Sequence, residues 1–446
     1  MKFARFRFLL PVLALALPGV LLSLRPGRGQ DWLETGINRG APMVRLAVAE
    51  FPAQSPDPRW VNLTQEFNQA LRNDLTNAGI FEMISKSNFP LKIPVEPGDV
   101  DFKSWTDPPA SAQMLAFGKT EVINENLVVT GRLYDVQNPS NASVLAKRYV
   151  ATLNEISTRE AAHRFANEII KALGGGIPGI NLTKIAFVGN RTGHPEIWVM
   201  DYDGFNQHPI TSYGVNSTTP RWSPDNTRLA FTTYALGNPD IFIFSLETNR
   251  RIPFPRFKGL NTTPAWSPDG KRLAFCSSMS GDPEIYLIDA NGQNLQRLTF
   301  SPGVDISPAW NPKTGNEIAF VSDRSGAAQI YIMSADGTNV RRLVTGGGDA
   351  SAPSWSPNGS FMTFHWRLTD TGTYDVYVIE IATGRTVQLT HDAGRNEHPT
   401  WSPDGRHLVF ESDRSGSKQI WMMLADGKEQ KQVTTAGRNW NPNWSN

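Results

Sequence analysis

Residues 264–270 read Pro-Ala-Trp-Ser-Pro-Asp-Gly, and close copies of this phrase recur through the second half of the chain. The copies carry tryptophans at spacings of 44, 44, 45, 46 and 43 residues, namely Trp222, Trp266, Trp310, Trp355, Trp401 and Trp444. A period this regular indicates an architecture built from structural repeats.

Each repeat predicts four short strands. The Pro-x-Trp-Ser segment is the first, and apolar runs such as Leu273-Ala-Phe275 and Ile285-Tyr-Leu-Ile288 are the second and third. A brief fourth strand follows, as in Arg297-Leu-Thr299, and turns rich in Gly, Asp and Asn separate the strands. Four-stranded units repeated radially form a β-propeller. A linear solenoid is the alternative, but it would leave both ends of the array uncapped.

The ends of the array indicate the number of blades. Five repeats are complete, and residues 184–211 supply strands two, three and four of a sixth. The missing first strand of that sixth repeat is present in Asn443-Trp-Ser445. We therefore predict a six-bladed propeller over residues 176–446, closed where this last segment pairs beside Ile185.

Residues 43–175 differ in character and predict a mixed α/β domain. The pattern indicates strands at 43–49, 80–84, 112–122, 127–136 and 144–152, with helices from Arg59 to just before Gly79 and over 158–173. Glycine-rich residues 174–179 are expected to join this domain to the propeller.

The first 29 residues are expected to be a signal peptide. Lys2, Arg5 and Arg7 precede 17 uncharged residues at 8–24, the order that the secretion machinery recognises. An uncleaved membrane anchor is the alternative. Cleavage would change the net charge from +1 to −4 and leave an extended segment at 30–42. We expect a mature protein outside the cytoplasm that does not insert into a membrane.

Composition excludes several classes of protein. The 446 residues exceed what one hydrophobic core normally holds. With 43 basic and 42 acidic residues, the chain lacks the positive field that nucleic-acid binding requires. Its single cysteine, Cys276, excludes a disulfide framework and multi-cysteine metal sites, and we expect it in the core.

The sequence also lacks the usual signs of catalysis. No G-x-S-x-G elbow occurs, the α/β domain at 43–175 contains no G-x-G-x-x-G or Walker motif, and the seven histidines show no metal-ligand spacing. His391 and His398 are expected to be exposed turn residues. The residues before the tryptophans show no catalytic ring: they are Arg221, Ala265, Ala309, Ser354, Thr400 and Asn443. We expect neither enzymatic activity, nor a cofactor, nor a metal site.

An Asn or Asp stands shortly before each innermost strand. These residues are Asn216, Asn261, Asp305, Asp349, Asn396 and Asn439. They have two interpretations, which the sequence leaves open. They are either turn and cap residues or a polar ring at one mouth of the channel, gripping a partner's side chain or a hard cation.

Taken together, these features resemble the TolB family, the periplasmic propellers of the bacterial Tol–Pal envelope system. Beyond the repeats, the resemblance rests on Phe102-Lys-Ser-Trp105 in the α/β domain, the glycine-rich joint and Lys184-Ile-Ala-Phe-Val188 before the first complete blade. It implies a non-catalytic periplasmic protein, which we expect to be a monomer, supporting outer-membrane integrity and cell division through protein–protein contacts.

The resemblance also implies two partner sites. The loops that enter the innermost strands would bind Pal, the peptidoglycan-associated lipoprotein, through Arg256, Asn261, Thr262, Asp305, Asp349, Asn396, Glu397 and Asn439. The start of the mature chain would bind a TolA-like inner-membrane protein through Asp31, Trp32, Leu33 and Glu34.

Other functions for the same blades stay open. A propeller enzyme or a module that binds cell-wall carbohydrate would use the channel instead of the loops. A detached oligopeptidase propeller is disfavoured, because no hydrolase domain accompanies the repeats.

Overall fold

The computed structural model describes residues 43–54, 57–368, 372–391 and 394–446. The predicted signal peptide at 1–29 and the extended segment at 30–42, with Asp31, Trp32, Leu33 and Glu34, lie outside the described residues. Within those residues the chain forms an α/β domain followed by a six-bladed β-propeller, as predicted.

The α/β domain is a five-stranded sheet with two long helices on one face. Its elements are β1 (Val44–Val48), α1 (Pro58–Asn77), β2 (Phe81–Met83), α2 (Phe102–Thr106), β3 (Met114–Ile123), β4 (Asn126–Asp135), β5 (Ser143–Thr152) and α3 (Glu155–Leu173). Short 3-10 turns lie at Lys86–Asn88, Pro97–Asp99 and Pro139–Asn141. The strand order is β2-β1-β3-β4-β5, with β1 parallel to both its neighbours and the other pairs antiparallel.

Both faces of this sheet are covered by apolar side chains. Phe67 of α1 and Phe165 of α3 pack around Phe51 on one face, with ring centroids 5.1 and 6.0 Å from it. On the other face Trp105 is buried beside Phe117. The predicted Phe-x-x-Trp phrase is therefore the short helix α2, which the sequence patterns did not indicate as a helix.

Helix α3 begins three residues earlier than predicted. The side chain of Asn154 accepts a hydrogen bond from the Ser157 amide, an N-cap that starts the helix at Glu155. The predicted strands at 112–122 and 127–136 are confirmed as β3 and β4, which form a hairpin: Asn124 and Glu125 both have positive φ, as a tight two-residue turn requires.

Each blade has four antiparallel strands, and blades are numbered here by their innermost strand in chain order. Blade 1 is β9 (Ser217–Trp222), β10 (Arg228–Leu236), β11 (Asn238–Ser245) and β12 (Arg250–Ile252); blade 2 is β13 (Asn261–Trp266), β14 (Arg272–Ser277), β15 (Glu284–Asp289) and β16 (Gln296–Arg297). Blade 3 is β17 (Asp305–Trp310), β18 (Glu317–Ser322), β19 (Gln329–Ser334) and β20 (Arg341–Arg342); blade 4 is β21 (Asp349–Trp355), β22 (Phe361–Arg367), β23 (Asp375–Glu380) and β24 (Thr386–Gln388). Blade 5 is β25 (Asn396–Trp401), β26 (His407–Ser412), β27 (Gln419–Leu424) and β28 (Lys431–Gln432); blade 6 is β29 (Asn439–Trp444), β6 (Lys184–Gly189), β7 (Glu196–Asp201) and β8 (His208–Pro209).

Blade 6 confirms the predicted closure. Strand β29 pairs antiparallel with β6, placing Trp444 opposite Ile185 and Asn443 opposite Ala186. Pairing of the end of the chain with the first propeller strand closes the circle, so no blade is left with an open inner edge.

Every innermost strand carries the same bulge. Three residues before each tryptophan the backbone turns left-handed, at Thr219, Thr263, Ser307, Ala352, His398 and Asn441. The pairing register with the second strand shifts at this point in each blade. The bulge bends the strand beside the central channel, which the innermost strands line.

The propeller has two different faces. The loop face holds the connections that enter each innermost strand and the hairpins between the second and third strands. The turn face holds the Ser-Pro-Asp-Gly turns and the turns after the third strands. The α/β domain lies against the turn face of blades 5 and 6, where the Asn77 carbonyl accepts a hydrogen bond from His407 Nε2 at 2.7 Å.

The expectation that the single cysteine lies in the core is met. Cys276 is completely buried in β14, and burial raises the pKa of its thiol to about 12. No helix within the described ranges combines the length and the apolar character that a membrane span needs.

Candidate functional site

The residues predicted to bind a partner lie at the loop face, on the opposite side of the propeller from the α/β domain. Those on the innermost strands, such as Asn261 and Glu397, occupy the first or second position of the strand. The structure therefore brings residues that are up to 183 positions apart in the sequence to one end of the channel.

Half of these residues are buried, and three of the four hold neighbouring blades together. Asn261 Nδ2 in blade 2 donates to Asp240 Oδ1 in blade 1 at 3.1 Å, and Asn396 Nδ2 in blade 5 donates to Asp375 Oδ1 in blade 4 at 3.0 Å. Asn439 repeats the contact between blades 6 and 5 through Gln419. These side chains serve as caps and blade-to-blade contacts, and they do not project from the face.

Asp305 is the acidic member of the same set. It is buried, and its Oδ2 accepts a hydrogen bond from Arg324 Nη2 at 2.8 Å. The adjacent blade places Glu284 nearby. Burial and the charge of Asp305 raise the pKa of Glu284, although Thr299 and Arg297 hydrogen-bond to it.

Asn216 and Asp349 do not occupy the equivalent position. They lie one residue earlier, where Ser217 and Ala350 take the buried place that Asn261 has in blade 2. Asn216 is exposed, and Asp349 is half-buried and paired with Arg367. Only four of the six predicted residues therefore occupy the equivalent buried position. In blades 1 and 4 the Asn or Asp comes one residue too early in the sequence.

The remaining predicted residues are accessible. Arg256 is half exposed and donates from Nε to Asp240 Oδ2 at 2.8 Å. Thr262 and Glu397 stand at the second position of their innermost strands, partly exposed at the rim of the channel. These side chains, with Asp349, form the polar part of the loop face.

The same face also has an apolar part, of which sequence reasoning missed Tyr234 and Leu236. Phe300 is 72% exposed in the loop that enters β17, under the guanidinium of Arg297 at 4.6 Å. Tyr234 and Leu236 are exposed at the tip of the β10–β11 hairpin, which is longer than its counterpart in blade 2. The extra length of β10 was the available signal in the sequence.

At blades 5 and 6 the mouth of the channel is lined by charged side chains. Lys418 Nζ lies 2.9 Å from Glu397 Oε2 and also contacts the buried Glu411. The Glu411 carboxylate lies 3.1 Å from His398 Nδ1 and accepts the Asn441 amide at 2.7 Å. Burial raises the pKa of Glu411, but His398 and Lys418 lower it by more, so this carboxylate is charged at neutral pH.

His398 is therefore not the exposed turn histidine that the sequence indicated. It lies at the bulge of β25 with its side chain about one third exposed, and its ring centroid is 5.1 Å from that of His365. Burial and the nearby His398 hold the pKa of His365 well below its usual value. The two histidines are 33 residues apart in sequence, so only the packing of blades 4 and 5 reveals the pair.

A second polar network joins the two domains at the turn face. Asp74 of α1 lies 2.7 Å from His163 Nδ1 of α3 and accepts the hydroxyl of Tyr202, from the turn after β7, at 2.5 Å. Burial lowers the pKa of His163, but Asp74 raises it by more, so the net shift is upward. Arg159 links the domains a second time by pairing with Glu66 and Asp203.

Neither region has the composition of a metal site. Across the part of the chain that the structure describes, no three His, Cys, Asp or Glu side chains converge closely enough to hold an ion. The described residues present a mixed apolar and charged face at one end of the propeller and a buried interdomain network at the other.

Comparison with known proteins gives a consistent result. The family model of the TolB amino-terminal domain matches residues 37–142, and that of the TolB beta propeller domain matches residues 172–367 and 346–446. The Tol-Pal system protein TolB of Geobacter metallireducens is 38% identical over 162 residues, 36% of this chain and 36% of the relative. That of Desulfosudis oleivorans is 35% identical over 185 residues, 41% of each chain. The sequence alignments thus span about two fifths or less of these relatives' own length.

A solved structure is similar over a longer range. The crystal structure of TolB from Acinetobacter baumannii superimposes with a TM-score of 0.77 and 26% sequence identity. The match covers 91% of this chain and 97% of that one, so it includes both domains.

Proposed function

This chain belongs to the TolB family, and from that premise we propose that it is a non-catalytic component of the Tol–Pal envelope system, acting in the periplasm. Its role would be to connect a Pal-like, peptidoglycan-associated lipoprotein to an inner-membrane partner. Through these contacts it would support outer-membrane integrity and cell division.

The composition of the loop face is the main support for the proposed lipoprotein-binding site. Phe300, Tyr234 and Leu236 supply exposed apolar area, and Arg256 and Glu397 supply charge on the same face. Protein–protein interfaces combine apolar area with polar and charged residues in this way. The described contacts of the α/β domain with the propeller lie at the opposite, turn face.

Isothermal titration of the full chain with the soluble domain of the lipoprotein from the same cell would test this site. We expect Phe300→Ala and Arg256→Ala to weaken binding by tenfold or more, the usual effect of removing a central anchor. Leu295→Ala is the matched control, since Leu295 is an exposed apolar residue in the turn after β15, at the turn face. The proposal is wrong if the unmodified chain does not bind, or if the control weakens binding as much as Phe300→Ala.

The second contact is proposed for the residues that precede the α/β domain. Asp31, Trp32, Leu33 and Glu34 would add as an extended peptide to a TolA-like protein, the mode in which a strand joins a sheet edge. Deletion of residues 31–34 should abolish capture of that partner's periplasmic domain and leave lipoprotein binding unchanged. Loss of both activities together would contradict two separate sites.

A further inference from the structure

His163 of α3 lies between a carboxylate of its own domain and one of the propeller. Its Nδ1 is 2.7 Å from Asp74 Oδ2 on α1, and its Nε2 is 3.9 Å from Asp203 Oδ2, in the turn after β7. The side chain of His163 is 6% exposed and that of Asp74 is 1% exposed. Charges interact more strongly in the interior than at the surface, because little water is present to screen them. The charge on this ring therefore affects the contact between the two domains.

Ionisable groups from four parts of the structure face this contact. They are Asp74 and Glu66 on α1, Arg159 on α3, Tyr202 and Asp203 after β7, and Lys431 with the exposed Glu429 at β28. Tyr202 stays neutral, because burial and the nearby Asp74 raise the pKa of its hydroxyl well above the ordinary value. The three carboxylates on α1 and after β7 thus face two basic side chains, and a protonated His163 supplies the third positive charge.

The neutral ring of His163 cannot satisfy both of its nitrogens at this place. Its hydrogen bond to Asp74 puts the proton on Nδ1, which leaves Nε2 as an acceptor. Nε2 is buried and has no hydrogen-bond partner in the described part of the chain, and the Asp203 carboxylate near it can only accept. The protonated ring has a donor on each nitrogen, one for Asp74 and one on the side of Asp203. The contact therefore fits the charged ring better than the neutral one.

The surroundings of His163 also favour its protonated form energetically. Burial lowers the pKa of the ring, but Asp74 and Asp203 raise it by more, so the net shift is upward. A histidine whose pKa is raised on folding stabilises the folded contact below its unfolded pKa of about 6.5. This stabilisation is lost as the pH rises through the folded value, so the contact should weaken toward the alkaline side.

We propose that His163 makes the contact between the two domains sensitive to pH. The protonated ring bridges Asp74 of the α/β domain and Asp203 of the propeller, and loss of the proton loosens this bridge. Two carboxylates then remain beside a neutral ring that has a donor for only one of them.

Loosening should move the domains without unfolding either of them. The ion pair of Arg159 with Asp203 and the hydrogen bond from His407 to the Asn77 carbonyl also link the domains, and neither involves His163. Residues 174–179 join the domains, and four of these six residues are glycines, which allow the backbone to change direction easily. A rise in pH should therefore give the α/β domain more freedom relative to the propeller.

Fluorescence energy transfer between the two domains tests this proposal. Gln137→Cys and Thr248→Cys place one label on each domain, since both positions are exposed and the native Cys276 is buried. Single molecules of the full chain, labelled with pH-insensitive dyes, are measured between about pH 5.5 and about pH 8.5 at constant ionic strength, either side of the ordinary histidine pKa. We expect a narrow distribution of transfer efficiency in acid that broadens as the pH rises. A distribution that does not change over this range would overturn the proposal.

Variants assign the response to His163. His163→Gln keeps a polar side chain that cannot become charged, so its distribution should stay broad at every pH. His208→Gln is the matched control, because His208 is an exposed histidine of the propeller and its removal should leave the response unchanged. His407→Gln keeps a donor for the Asn77 carbonyl and should also respond. The proposal is overturned if His163→Gln responds as the unmodified chain does, or if His407→Gln abolishes the response.

A second measurement does not depend on the folding of His163→Gln. Nuclear magnetic resonance of the full chain with ¹³C-labelled histidine follows the titration of each ring. We expect one ring to titrate at higher pH than His208, and we expect Asp203→Asn to lower that midpoint, because it removes a carboxylate that favours the charged ring. The absence of such a ring, or of any shift in Asp203→Asn, would overturn the proposal. Neither measurement involves the lipoprotein, so this proposal and the proposed function can fail independently.

Discussion

Blades 2 and 5 contain the same turn in different surroundings. In both blades a serine hydroxyl donates to the aspartate two residues later, at 2.6 Å for Ser267 and Asp269 and at 2.5 Å for Ser402 and Asp404. The aspartate then accepts the amide two residues further on, in both blades. The local chemistry of the two turns is therefore the same.

The surroundings differ because the α/β domain covers one turn and not the other. Asp269 is exposed, whereas the side chain of Asp404 is 2% exposed and lies between Arg406 and His407. His407 in turn donates to the carbonyl of Asn77, the last residue of α1. The final carbonyls of a helix lack partners within the helix, so a donor at this point is favourable. A repeated surface turn has thus become part of the domain interface.

The largest difference between the two turns is expected on removal of the aspartates. Asp404→Ala leaves Arg406 and His407 buried without their carboxylate, so we expect a loss of about 3 kcal/mol in the free energy of unfolding. Asp269→Ala removes only turn hydrogen bonds at the surface and should cost about 1 kcal/mol. Urea unfolding followed by tryptophan fluorescence measures both values, and equal losses would show that burial adds nothing.

Removal of His407 tests the domain contact itself. His407→Ala leaves the Asn77 carbonyl unsatisfied, which should cost about 2 kcal/mol and speed hydrogen exchange at the end of α1. His407→Gln is the informative control, because its amide retains a donor for that carbonyl. Arg272→Ala, at the equivalent position of blade 2, should leave exchange in α1 unchanged. Faster exchange there with the blade 2 variant would contradict a local contact.

The two turns should also differ in acid. Burial raises the pKa of Asp404, but His407 and Arg406 lower it by more, so the folded-state pKa lies well below the ordinary value. A carboxyl group with a depressed pKa stabilises the fold above its unfolded pKa of about 4, and this contribution is lost as the pH falls through the folded value.

The pH dependence of unfolding between about pH 6 and pH 2 would measure this contribution. Asp404→Asn should flatten the acid side of the plot of unfolding free energy against pH more than Asp269→Asn does. The pKa of Asp269 is lowered mainly by its hydrogen bonds to Ser267 and the Lys271 amide. Identical slopes in the two variants would contradict the assignment.

The smallest expected difference concerns the serines. Ser267 and Ser402 are both buried and make the same hydrogen bonds within their turns. Ser267→Ala and Ser402→Ala should each cost about 1 kcal/mol, because the cap depends on the local turn and not on the domain above it. A loss in blade 5 more than twice that in blade 2 would show that the interface also depends on this cap.

Much of the fold could be predicted because it depends on local, repeated signals. The spacing of the tryptophans predicted the blades, and the incomplete first and last repeats predicted that Asn443-Trp-Ser445 pairs beside Ile185, as it does. Boundaries were less predictable. The start of α3 depends on the capping side chain of Asn154, and the short α2 lies in a segment without helical periodicity.

Less of the candidate site could be predicted, since a position in a repeat does not state the burial of its side chain. The residues predicted to bind the lipoprotein include both Arg256, which is accessible, and Asn396, which is buried against Asp375 of the neighbouring blade. Tyr234 and Leu236 were missed because exposed apolar residues at one hairpin tip have no periodic pattern to mark them. Glu411 and His398 become a pair only through the pairing of β25 and β26.

The order of residues was sufficient to specify a propeller of six blades, its closure by the last strand and the α/β domain before it. Strand patterns and turn residues determine structure over a few residues. Because each pattern recurs six times, few other folds fit the whole sequence. Tertiary structure alone decided how the surroundings of the copies differ. It placed the α/β domain over the turn of Asp404 and left that of Asp269 in solvent. Contacts between blades and between domains join residues far apart in the chain, and no local pattern records them.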